Sequence, residues 1–316
     1  MSKIERPDDP QHAGTPRRPE TSHTDRVTTT SATANEPVES ATSKPVATTR
    51  KPWRRLLPKW SLWLSLAVLA WFAIAAFGPK FGLLPWQTGL QFMIAQAGPI
   101  LLGIAAVVAI IALLFAFLKT PRGPWWKAAL ALAIPLILFG GLLTLRAQAS
   151  SVPPIYDVAT DLRNPPTFSN ETMMLRAEME ANPVNDYGVP LGSLQKWEGV
   201  QDQALLAKNH ADIIAENYEN LRPVILGNTT REEAMDVIVA AMGEIGLKDI
   251  RRIDGTNTVE GVAETFAFGF KDDVVVRLDD RQIDIRSVSR VGLSDLGYNA
   301  DRVEDLADAI RERLGR

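Results

Sequence analysis

The sequence predicts three transmembrane α-helices followed by a soluble α+β domain, an antiparallel sheet of about four strands packed on helices, behind a disordered N-terminal tail. Three observations carry that expectation. Residues 1–50 are Pro, Thr, Ser, Ala and balanced charges without one aromatic residue, too little apolar area to offset the entropy of ordering a chain. Residues 60–145 hold long apolar runs in which only Lys80, Lys119, Arg122 and Lys127 are charged. The remainder mixes polar and apolar residues as a folded domain does, and its last third alternates in short strand-like runs.

The apolar section contains three segments of spanning length, 60–77, 92–118 and 125–145, at 1.5 Å rise per residue. Lys51, Arg54, Arg55 and Lys59 form a basic juxtamembrane segment, 51–59, and Lys119, Arg122 and Lys127 lie between the second and third spans. Positive flanks stay inside, so the N-terminus is expected in the cytoplasm of a multi-pass inner (plasma) membrane protein and the C-terminal domain outside it. No cleavable signal precedes the first span, which therefore doubles as the targeting signal. Seven of the eight tryptophans lie in or beside this section, where an amphipathic indole suits the headgroup region. Polar groups are few in the spans, Gln96, Ser65 and Thr144 among them, which favours an anchor over an ion path. Ala105 with Ala109, and Ala112 with Ala116, place small residues at the spacing that lets helices approach.

An extended linker is expected over 146–168, where Pro153, Pro154, Pro165 and Pro166 forbid a long helix. The folded domain, 169–316, then offers helices near 171–181 and 201–217, and a better marked one where Thr230 and Glu233 form a capping box ahead of Ala234, Val237, Ile238, Ala241 and Ile245. Strands are expected over 248–254, 259–270, 274–278 and 282–287, with connections so short that they form an antiparallel meander. Phe266, Phe268 and Phe270 alternate, as do Val274, Val276 and Leu278, then Ile283 and Ile285, giving apolar faces for the helices to cover. A last helix over 300–314 carries Val303, Leu306, Ile310 and Leu314.

The densest polar run leaves the last strand and enters the last helix. In it Arg286 and Arg290 are suited to hold a phosphate or carboxylate, with Ser287, Ser289 and Ser294 as hydroxyl donors, Asp295 as a pairing carboxylate and the helix start near Asn299 adding backbone N–H groups. The plainer reading is that these groups organise a long turn by pairing with Asp284 and Asp295. His210 stands alone in the folded part and is expected at a surface or between helices. Asp272 with Asp273, and Asp279 with Asp280, are expected at hairpin turns. Without cysteine there is no thiol nucleophile, disulfide or thiolate metal site. No Walker loop, dinucleotide fingerprint or nucleophile elbow calls for a cofactor, and a net charge of −3 gives no footprint for nucleic acid. The partners expected are the lipid bilayer and an envelope protein or anionic small molecule. The function expected is binding, with an enzyme acting on lipid or cell-wall substrates through Asp284 or Asp295 as the alternative.

The run Asp284-Ile-Arg-Ser-Val-Ser-Arg-Val-Gly-Leu-Ser-Asp-Leu-Gly-Tyr-Asn-Ala-Asp-Arg302 resembles the signature of the bacterial domain-of-unknown-function family DUF1499. Pro154-Ile-Tyr-Asp-Val-Ala-Thr-Asp161, Asn164-Pro-Pro166, Leu175-Arg-Ala177, Asn182-Pro183, Tyr187-Gly188 and Lys271-Asp-Asp-Val-Val-Val-Arg277 are similar to that family as well. Asn209-His-Ala-Asp-Ile213 departs from its Tyr-Pro-Asp-Ile pattern. The resemblance implies a bacterial membrane-attached domain and supplies no catalytic residue.

Overall fold

A computed structural model describes residues 53–118 and 124–315. The tail 1–50 and the basic residues Lys51, Lys119 and Arg122 lie outside the described residues. Helices α1 (Trp53–Phe77), α2 (Gly98–Leu118, entered through π-helical turns over Thr88–Ala97) and α3 (Trp125–Ser151) pack on one another. Each is long and apolar enough to cross a membrane. Small residues form the seam: Ala75, Ala105, Ala109, Ala112, Ala116, Ala128 and Ala131 are all buried, so backbones come close enough for the Ser65 hydroxyl to donate to the Ala131 carbonyl at 2.6 Å. Where Gly89 crosses α1, a Cβ would sit 2.3 Å from the Ala75 oxygen, a contact only glycine avoids.

The domain follows as β1 (Asp157–Ala159), α4 (Asn170–Glu178), α5 (Gln203–Leu206), α6 (His210–Asn217), β2 (Val224–Ile225), α7 (Arg231–Glu244), β3 (Lys248–Ile253), β4 (Thr258–Glu264), β5 (Lys271–Leu278), β6 (Gln282–Ser289) and α8 (Tyr298–Arg313). The sheet has six antiparallel strands rather than about four: the meander β3–β4–β5–β6 continues through β1, and β2 also pairs with β6. Both added strands are short, and β1 lies inside the stretch read as linker, which begins instead as the end of α3. The helix expected over 201–217 is two, because Asn209 caps α6 by accepting from the Asp212 N–H at 2.9 Å. Thr230 and Glu233 do form the capping box of α7.

Alternation along the strands divides the sheet into two faces. Val259, Val274, Val276, Leu278, Ile283 and Ile285 are buried toward α7 and α8, each contributing roughly 1.5–3 kcal/mol by leaving water. The opposite face is covered by α4 and by the irregular chain that carries Tyr187 and Trp197. Here charged residues occupy the inward positions.

Two expectations about strands change. Phe266, Phe268 and Phe270 are not on a strand, since β4 ends at Glu264 and Phe268 and Gly269 take left-handed conformations with φ of 64° and 65°. They form a turn that docks on the apolar helices: the Phe268 N–H donates to the Ala76 carbonyl at 2.6 Å, Phe266 meets Phe77 edge-on at 5.3 Å, and Phe270 meets Trp86 at 5.7 Å. Asp272 and Asp273 are not turn residues either; they lie inside β5, buried, one on each face.

Candidate functional site

The charged face of the sheet carries four ionic clusters, and their partners come from residues 157–176. Asp157 takes two parallel hydrogen bonds from Arg286, Nε to Oδ1 at 2.9 Å and Nη2 to Oδ2 at 2.7 Å. Arg286 also donates to the Pro166 and Asn185 carbonyls and lies 4.9 Å over the Tyr187 ring, whose hydroxyl donates to Asp157 at 2.7 Å. Burial pushes the Asp157 carboxyl up, yet the guanidinium beside it prevails and holds it below the ordinary carboxylate range. Burial together with the Asp157 charge lifts the Tyr187 phenol well above its ordinary value. This cluster is closed, with every Arg286 nitrogen bonded.

His210 belongs to the same neighbourhood and is buried, not at a surface. It stacks on Tyr187 at 5.4 Å, meets Trp197 edge-on at 5.4 Å, and its Nε2 lies 3.2 Å from the Asn185 amide. Burial pushes its imidazole down to about 4, so it is neutral at physiological pH. At the far end of the face, Arg277 binds Asp284 and Asp161. Burial raises the Asp284 carboxyl from its ordinary value.

The other two clusters line a cleft of about 270 Å³ between α4 and the sheet. In the first, the Glu260 carboxylate accepts from Ser169 at 3.0 Å, Thr172 and Arg251 at 3.0 Å. In the second, Asp273 sits between two arginines: Arg290 gives it a fork, with Nη2 to Oδ1 at 2.6 Å and Nε to Oδ2 at 3.0 Å, while Arg176 pairs from below and reaches the Asn182 carbonyl at 2.7 Å. Two guanidiniums against one carboxylate leave that cluster one positive charge in excess. The nitrogen outside the fork, Arg290 Nη1, meets only the Met179 sulfur, at 3.2 Å, among the described residues. Beside it Lys271 is exposed and makes no ion pair or side-chain hydrogen bond among the described residues. The opposite wall is apolar, built from Phe168, Leu175 and Met179, with Val262 on the floor. Asp249 ends the cleft on β3, where a bulge gives it a φ of 52°.

The cradle drawn from the sequence is divided by the sheet. Arg286 and Arg290 point to the charged face, and only Arg290 lines the cleft. Ser287 and Ser289 point the other way, into a network in which Ser287 donates to Asn299 Oδ1 at 2.7 Å, the Asn299 amide donates to Ser289 at 2.9 Å and to the Tyr156 carbonyl at 2.9 Å, and Arg302 bridges Ser287 to Asp272. Ser294 and Asp295 stay in the loop: Ser294 accepts from the Leu296 N–H, and Asp295 accepts from Gly297 and Asn299, fixing the start of α8. Burial pushes the Asp295 carboxyl up to about 6. Neither it nor Asp284, the two carboxylates of the enzymatic alternative, lines the cleft.

Sequence reasoning missed Arg251, Lys271, Asp273 and Glu260. Their signal was present in part, since Lys271, Asp273 and Arg277 alternate on one side of a strand. A solvated edge gives the same pattern, and the partners Thr172 and Arg176 lie about a hundred positions away.

No curated protein and no solved structure matches the chain. The family model described as "Protein of unknown function (DUF1499)" matches residues 157–310, from the start of β1 into the last turn of α8. The soluble domain of this chain thus belongs to the DUF1499 family, whose function is unknown.

Proposed function

We propose that the chain is a multi-pass protein of the bacterial plasma membrane whose extracytoplasmic domain binds an anionic small molecule in the cleft between α4 and the sheet, without turning it over. The observation that carries this reading is a pair of donors without an oxygen partner among the described residues: the Lys271 ammonium and Arg290 Nη1 stand together in a cleft whose other arginine, Arg251, is spent on Glu260. A phosphate or carboxylate there gains charge-assisted hydrogen bonds that nothing in the domain supplies. The orientation rests on the basic flanks of the three apolar helices.

Two experiments test it in the cysteine-free background. A fluorophore on Met174→Cys, exposed on α4 outside the cleft, should report saturable binding of inorganic phosphate and glycerol 1-phosphate by the purified chain, and Lys271→Glu should abolish the response while leaving the melting temperature in place. Absence of a saturable response in the unmodified cleft overturns the anion site. A second cysteine variant, Asp280→Cys, should react with an impermeant maleimide on intact spheroplasts; reaction only after permeabilisation overturns the orientation.

A further inference from the structure

The cleft is not placed at random on the domain. Lys271 is the first residue of β5 and pairs with Glu264, the last residue of β4, so it borders the turn that docks on α1. That turn is fastened at several points: Lys80, on the connection after α1, pairs with Glu264 at 3.2 Å and donates to the Thr265 and Phe266 carbonyls, and a Cβ at Gly269 would lie 3.1 Å from the Lys80 Cα. The Arg290 N–H in turn donates to the Lys271 carbonyl at 3.0 Å, and Arg290 touches Met179 at the end of α4. Lys271, Arg290 and Met179 are therefore the end of the cleft nearest the apolar helices. A second contact, from Gln148 on α3 to the Leu296 carbonyl at 3.3 Å, holds the other side of the domain down.

The apolar groups at this level are left in the open. Phe266 is 80% exposed, Phe81 70% and Leu83 75%, values that suit the headgroup boundary of a bilayer and suit water poorly. On α4, Leu175 of the cleft wall and Met173 and Met174 beside it are also exposed, as is Met179 just past the end of the helix. The cleft thus joins two unlike surfaces, a cationic end next to the bilayer plane and an apolar lip of flexible thioethers and leucine. Asp249 stands on β3, two strand spacings from Lys271 on β5, about 10 Å away, and leaves the cationic end as the place for negative charge.

From this we infer that the ligand is an anionic phospholipid drawn from the surrounding bilayer, its phosphate at Lys271 and Arg290 and the first part of an acyl chain along Leu175, Met179 and Phe168. The inference rests on the anion site proposed above and adds the source of the anion. A water-soluble phosphate ester offers the same charge and no acyl chain, so the two sources separate by affinity.

The test uses the full chain in detergent micelles with the label on Met174→Cys, titrated with dihexanoyl phosphatidylglycerol, dihexanoyl phosphatidylcholine and glycerol 1-phosphate. The expected order is phosphatidylglycerol at least ~100-fold tighter than glycerol 1-phosphate, a margin that three or four buried methylenes supply, with phosphatidylcholine weaker and Lys271→Glu abolishing the preference for phosphatidylglycerol. Equal affinity for phosphatidylglycerol and glycerol 1-phosphate overturns the lipid inference and leaves the anion site standing. Equal affinity for the two lipids, or a preference unchanged in Lys271→Glu, also overturns it. Binding of none of the three removes both readings at once.

Discussion

The Asp157–Arg286 cluster and the Asp273–Arg290 cluster lie on the same face of the same sheet and are built from the same residue types, yet one is closed and the other open. Arg286 has each nitrogen on an oxygen, a tyrosine ring against its plane and a carboxylate that matches its charge. Arg290 shares its carboxylate with Arg176, turns one nitrogen to a sulfur and has an unpaired lysine as neighbour. The difference teaches how to tell a structural ion pair from a binding group inside one domain. What matters is whether the donors exceed the acceptors the fold provides, and the amino-acid type alone decides nothing.

The comparison breaks first at the closed cluster. Arg286→Ala leaves Asp157 charged and buried without its cationic partner, at a cost of about 3–5 kcal/mol in chemical denaturation. The double replacement Asp157→Leu with Arg286→Met should recover most of that loss, because the penalty belongs to the orphaned charge. If the single and double variants are equally destabilised, the pair is not the unit described.

Next in size is a pH dependence from the same neighbourhood. The unfolded chain protonates His210 near 6.5 and the folded one only near 4, so the unfolded state binds more protons between those values and stability falls as pH falls from about 6.5 to about 4. The loss from this group reaches about 3 kcal/mol. Asp295 runs the other way: its folded value near 6 lies above its ordinary one, so the folded state gains stability as pH falls through 6 toward 3.8. His210→Asn should therefore flatten the acid limb relative to the unaltered chain, and equal slopes in the two proteins would remove His210 as its source.

Much of the fold was legible because its signals are local. Apolar length marks three helices, Thr230 and Glu233 mark the start of α7, and Val274, Val276, Ile283 and Ile285 mark the face that α7 and α8 cover. The charged face was not legible, because a strand with Asp or Arg at every second position reads as an edge facing water until a distant segment is known to lie on it. Residues 157–176 supply that cover, and nothing near Asp273 or Arg286 announces it. Phe266, Phe268 and Phe270 misled for a related reason: their alternation is that of a strand, while their partners are Phe77, Ala76 and Trp86 on a different part of the chain. The cleft follows the same rule: of its lining residues, Arg290 stands in the local polar run, whereas Lys271 and Arg251 are brought beside it only by the fold.

The measurement that bears most directly on the open cluster is the acylation rate of the Lys271 amine, read by mass spectrometry on the full chain, with Lys248 as internal reference. Lys248 is 60% exposed and paired with Glu264 at 2.8 Å, whereas Lys271 has no such partner among the described residues. The account predicts that anionic phospholipid slows acylation of Lys271 at least ~10-fold while leaving Lys248 within about twofold, the separation that a single charge-assisted contact of about 1.4 kcal/mol or more produces. Equal slowing of both lysines, or of neither, would contradict it.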